Sequence, residues 1–211
     1  MNRDKPVLEK SIHVQYIFRR TKIDDVVIVI YNPSMDSILV SGIGQLKTDK
    51  DVAEWLRSEN VAVKIFDGKS LTFVIDIKKD LDSALLNKVE LAIQNFLNLD
   101  SSYRNEISNL VYENYQDMID HSDIKHLDVK KPSDIWNFIY PEEIFISQRS
   151  RRDEDIYIKV VCNCDWDKEH GLQLVFKNGL KITRVSSQDG HLTNSDAYDT
   201  PDSEDKLLSI F

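Results

Sequence analysis

Residues 155–185 read D-I-Y-I-K-V-V-C-N-C-D-W-D-K-E-H-G-L-Q-L-V-F-K-N-G-L-K-I-T-R-V, and this stretch decides the fold. Ile156, Ile158, Val160, Cys162, Cys164 and Trp166 fall on every second position. That is the period which turns one side of a strand toward a core. Glu169-His170-Gly171 supplies a turn, and Leu172, Leu174 and Phe176 resume the alternation. Asn178-Gly179 is a two-residue hairpin signal leading into Leu180 to Val185. The stretch predicts a three-stranded antiparallel meander with one apolar face.

Upstream the period changes. Asp82 to Leu97 places Leu85, Leu86, Val89, Ile93, Phe96 and Leu97 on one helical face, with Asp82 or Ser83 as cap. Tyr103 to Ile119 presents Ile107, Leu110, Val111, Tyr115 and Met118. The short break between the two predicts antiparallel neighbours. A polar stretch follows, then Pro132-Ser133-Asp134 opens a helical turn over Ile135 to Ile139, and Glu143 to Gln148 reads as a strand. In the first third, Ser11 to Phe18, Asp25 to Tyr31 and Met35 to Ser41 read as strands. Thr48 to Arg57 reads as a short helix with a Val52, Trp55, Leu56 stripe, and Val61 to Phe66 pairs with Ser70 to Ile77 through Asp67-Gly68.

Sheet, helices, sheet in that order predicts the α+β class: antiparallel sheet or sheets from the N- and C-terminal thirds, packed on a central helical hairpin. With no linker-like composition, residues 11–199 are expected to form one composite domain, with a possible subdivision near 100–130. Residues 1–10 are expected to be a tail, and 200–211 an acidic one.

Lys plus Arg number 27 against 36 Asp plus Glu, a net charge of −9 in 211 residues. This disfavours nucleic acid and anionic membrane surfaces and favours a basic protein partner. The longest apolar run, Val26 to Tyr31, is too short to span a bilayer, and residues 1–10 lack a secretion-signal core. Two cysteines one residue apart make no disulfide framework, so a reducing cytoplasm is expected. Phosphate-loop, dinucleotide, zinc-protease and nucleophile-elbow motifs are all missing, and no cofactor or catalytic residue is expected.

Cys162, Cys164, His170 and His191 have the donor chemistry of a zinc site, but C-x-C inside an apolar run fits a core reading better. Trp166, Glu169, His170, Gly171, Asp189, Gly190 and His191 read as a structural motif in which two loops brace the end of the meander. Trp55 and Trp136 read as core residues on helical stripes. The basic Arg149-Ser150-Arg151-Arg152 cluster reads as a solvated loop neutralised by Asp153-Glu154-Asp155. Asp196, Asp199, Asp202, Glu204 and Asp205 form an acidic run, read either as a solvated tail or as the contact surface for a basic partner.

The segment C-N-C-D-W-D-K-E-H-G-L-Q-L-V-F-K-N-G (162–179), continuing as V-S-S-Q-D-G-H-L-T-N-S-D-A-Y (185–198), resembles a bacterial cytosolic domain family without an assigned role. That family is similar to small proteins found beside polymorphic or contact-dependent toxins. The likeness runs from about Pro141 to Tyr198. It implies a bacterial origin and an immunity-type role, and it carries no catalytic assignment.

The leading expectation is therefore a cytosolic immunity protein that covers a toxin, such as a basic nuclease. The alternatives are a small hydrolase using Glu169, His170, Asp189 and His191, with or without a metal, and a homodimeric interaction domain pairing through a sheet edge.

Overall fold

In the computed structural model, which describes residues 37–77, 81–120, 126–149 and 152–208, the chain opens on β1 (Ser37–Val40) and β2 (Gly44–Thr48). Then come β3 (Leu56–Arg57), β4 (Val61–Val63) and β5 (Lys69–Ile75). Helices α1 (Ser83–Asn98) and α2 (Ser101–Asp120) follow, and a 3-10 helix over Pro132–Phe138 leads into β6 (Ile139–Gln148). The meander is β7 (Ile156–Cys164), β8 (Leu172–Lys177) and β9 (Lys181–Ser186), and a short α3 (Asn194–Tyr198) comes after it. The strands expected at Ser11 to Phe18 and Asp25 to Tyr31, and the tail 1–10, lie outside the described residues.

The α+β class holds, but the N- and C-terminal strands join in one sheet. Its order is β1-β2-β3-β5-β6-β7-β8-β9, with β4 beside β5. The junction is a parallel pairing of β5 with β6, Phe73 opposite Ile144. Parallel neighbours need a long crossover, and residues 76–138, with the helical hairpin and the 3-10 helix, supply it. The other pairings are antiparallel. Strands β3 and β4 lie along the same edge of β5. Between them the Ser58 hydroxyl accepts from Phe73 N at 2.9 Å while Ser58 N donates to Phe73 O at 2.9 Å, so a side chain fills the gap in the ladder.

Both helices cover one face of the sheet. From α1, Leu86, Val89, Ile93 and Phe96 are buried, and Phe96 meets Phe176 edge-on at 5.2 Å. From α2, Ile107, Val111 and Tyr115 are buried, with Tyr115 against Trp166 at 5.8 Å. Facing them are Ile156, Ile158, Val160, Cys162 and Cys164 of β7 and Leu172, Leu174 and Phe176 of β8, the two alternating rows of the sequence. The Asp82 carboxylate caps α1 by accepting from Leu85 N at 2.8 Å. At the Asn178-Gly179 turn both residues have left-handed φ (51° and 68°), as this hairpin type requires. A Cβ on Gly179 would lie 1.9 Å from Ala92 O, so the turn rests on the backbone of α1.

The helix expected over Thr48–Arg57 does not form. Thr48 ends β2, Leu56–Arg57 is β3, and the residues between them form a turn. The Asp49 carboxylate accepts from Asp51 N at 2.8 Å and Val52 N at 3.0 Å, while Asp49 N donates to Trp55 O at 2.8 Å. One turn's worth of helical spacing cannot outweigh a closed β connection with its own side-chain cap. Val61 to Phe66 is likewise split, β4 giving way to a 3-10 turn over Lys64–Phe66. Among the described residues no helix is long and apolar enough to cross a membrane.

Candidate functional site

The motif residues of the C-terminal third occupy two loops that meet at one end of the meander. Asp167 is the hub of the first. Its carboxylate accepts from His170 N at 2.9 Å and from the Ser187 hydroxyl of the second loop at 2.9 Å, and His170 Nδ1 lies 3.2 Å away. Burial works against the charged form of Asp167, but these bonds outweigh it and hold its carboxyl below the ordinary range. Gly171 has φ +65°, and a Cβ there would lie 2.7 Å from Cys162 O and 2.5 Å from Gln188 Nε2. In the second loop Asp189 accepts from His191 N at 3.0 Å and from Gln173 Nε2 at 2.8 Å, and it pairs with Arg184. The loops are joined again where Gln188 Nε2 donates to Cys162 O at 2.9 Å. Trp166 is buried, and its indole N–H donates to Asn114 Oδ1 on α2 at 3.3 Å.

The zinc-type donors are not gathered. Cys162 and Cys164 are buried on the helix-covered face, where burial pushes the Cys162 thiol up and the Cys164 thiol to about 11. The imidazoles lie at the surface: the His170 side chain is 61% exposed, and His191 is exposed too. Among the described residues no group of three or more His, Cys, Asp or Glu side chains is placed to hold a metal. Glu169 is exposed, and the acid bonded to His170 is Asp167, an Asp that the sequence reading did not single out.

The basic cluster, read as a solvated loop, and the acidic run, read as a solvated tail or as a contact surface for a basic partner, meet each other. The Arg149 side chain is 1% exposed, and its guanidinium donates to Asp196, Asp202, Asp153 and the Ser195 hydroxyl at 2.7–3.1 Å. Arg152 reaches Asp196, Asp199 and Asp202 at 3.2–3.7 Å. The Arg149 hydrogen bonds hold the Asp202 carboxyl far below the usual range. Asp205 is buried and accepts from Ser195 N at 3.0 Å, while Glu204 is exposed. Residues 192–205 thus form a clasp folded over the face opposite the helices, where Leu192 packs on Tyr157 and Val175. A buried guanidinium needs several carboxylates, and the acidic run supplies them.

The clasp covers only part of that face. Beside it a groove of about 520 Å³ is open to solvent, lined among others by Trp55, Glu143, Phe145, Lys159, Val161 and Gln173. Its rims are the β2–β3 turn carrying Trp55 and the loop carrying Gln188 and Gly190. Trp55 stands edge-on to Phe145 with centroids 5.4 Å apart, and Lys159 Nζ lies 4.9 Å from the Phe145 centroid. At one end Arg57 bonds Asp49 at 2.5 Å, Thr72 at 3.3 Å and Glu143, while Thr72 also donates to Glu143 at 2.9 Å. The Arg57 bond holds the Asp49 carboxyl at about 2. Trp55 is therefore part of an open face and not a core residue on a helix. Trp136, the other tryptophan read that way, is half-buried in the 3-10 helix, with its N–H on the Ser108 hydroxyl at 2.9 Å.

Apart from Trp55, read as a core residue, and Gly190, read as part of the loop motif, the groove residues are not singled out from the sequence. One signal was available: Tyr157, Lys159, Val161 and Asn163 are the other half of the β7 alternation, as Glu143 and Phe145 are of β6, and they mix aromatic, apolar and charged groups.

The sequence model of one family, described as a domain of unknown function (DUF6985), matches residues 42–192, from the β1–β2 turn to the loop after β9. No curated protein and no solved structure matches the chain.

Proposed function

Given that the chain belongs to the DUF6985 family, we propose that it is a protein-binding module of the immunity type, which docks a basic partner such as a toxin domain on the open face of its sheet. The observation that carries this reading is the groove itself. An edge-on Trp55–Phe145 pair is half-exposed on a face that neither the helices nor the C-terminal clasp covers. Aromatic groups of this kind supply much of the affinity at protein interfaces. The net charge of −9 supports a basic partner through long-range steering, although the C-terminal carboxylates do their bonding within the molecule. A cytoplasmic setting belongs to the same proposal.

The test is titration calorimetry against the product of the gene beside its own, paired with growth rescue of cells expressing that product. Binding and rescue are expected. The double variant Trp55→Ala/Phe145→Ala should weaken binding by about a hundred-fold or more. Failure of the unaltered protein to bind or rescue, or undiminished binding by the double variant, would overturn the reading.

A further inference from the structure

We propose that the middle of the groove recognises a carboxylate, so that the docked segment of the partner carries an aspartate or glutamate next to an apolar side chain. This rests on the docking reading and adds the chemistry of what docks. Lys159 projects from β7 on the open face, directly across from Phe145 in the β6–β7 register. Its ammonium lies over the Phe145 ring, and among the described residues no carboxylate is within ion-pair distance of it.

The carboxylates nearby are engaged elsewhere. Glu143 is held by Arg57 and Thr72, Glu142 accepts from Asn163, and Asp189 pairs with Arg184 and Gln173. Asp76 also lines the groove and has its own interaction. Lys177, on the same face of β8, is paired with Asp155 at 2.9 Å. Lys159 is thus a half-buried cation between two groups of satisfied charges, resting on a ring but lacking a counter-ion among the described residues.

A ring face stabilises an ammonium less than a carboxylate does, and half-burial removes part of its water. An incoming carboxylate would restore what is missing, while Phe145, Trp55 and Val161 would take the adjoining apolar group. A basic partner is compatible with this local preference. Net charge acts over a Debye length, and the lysine acts at contact.

Two capped dipeptides serve as probes, phenylalanyl-aspartate and phenylalanyl-asparagine, titrated while the Trp55 indole N–H resonance is followed by NMR. The aspartate probe should bind about five-fold more tightly than the asparagine probe, a margin that shrinks with added salt. Lys159→Gln should equalise the two without abolishing binding, and Phe145→Ala should weaken both. Saturable binding with equal affinities in the unaltered protein would overturn the carboxylate assignment and leave docking intact. A preference that survives Lys159→Gln would overturn the role given to Lys159. No response to either probe would count against the docking reading, and this inference would fall with it.

Discussion

The two faces of this sheet are built from alternate residues of the same strands, yet they are made in opposite ways. On the helix-covered face, β7 and β8 present Ile156, Ile158, Val160, Cys162, Leu172, Leu174 and Phe176, all buried. On the other, the same strands present Tyr157, Lys159, Val161 and Gln173, which divide between a clasped portion and an open groove. The first face gains stability from apolar area removed from water. The second holds its charges in side-chain networks and leaves aromatic surface exposed, an arrangement suited to contact with something else.

Truncating an aromatic on each face gives the largest contrast. Phe176→Ala should cost about 4 kcal/mol in a denaturant titration, because Phe176 touches Phe96 and Tyr103 inside the core. Phe145→Ala on the open face should cost about 1 kcal/mol or less. Equal losses would erase the distinction between the faces. Gly179→Ala tests whether the helix face is closed to its edge: the added methyl would lie 1.9 Å from Ala92 O and 2.9 Å from Phe96 N, and a loss of about 3 kcal/mol is expected.

Arg149→Ala asks how far the opposite face is also committed to stability. It removes a buried cation from Asp153, Asp196 and Asp202, and about 3 kcal/mol should be lost with no change in probe binding at the groove. If probe binding fell in parallel, clasp and groove would be one unit.

The smallest effect is on acid stability. Asp49, held at about 2, and Asp202, held lower still, have folded pKa values depressed below their unfolded ones. Each contributes stability that is fully present above about pH 4 and is lost as the pH falls toward the folded value. The thermal midpoint should therefore drop between pH 4 and 2, and Asp49→Asn should flatten part of that drop. A variant curve parallel to the unaltered one would mean that Asp49 adds nothing.

The helix-covered face was legible in the sequence because its rows are uniform. A strict period of two in 156–166 and 172–176, a 3.6-residue period in 82–97 and the Asn178-Gly179 signal give the meander, the hairpin and the class. The open face was not, because its residues are mixed and their partners are remote. Nothing local marks Arg149 as buried, since its carboxylates Asp196 and Asp202 lie 47 and 53 residues away. Trp55 reads as helical because Val52, Trp55 and Leu56 have helical spacing, while the Asp49 cap that closes a β connection follows ordinary helix-capping chemistry. The parallel β5–β6 junction depends on how a whole helical hairpin folds back, which no short-range pattern specifies.

The division of labour between the faces is tested most directly by hydrogen–deuterium exchange of the full chain, alone and bound to the neighbouring gene's product. Residues 142–145, 159–161 and 188–190 should gain protection on binding, while α1 and α2 stay unchanged. Protection appearing on α1 and α2, with the groove strands unaffected, would contradict the account.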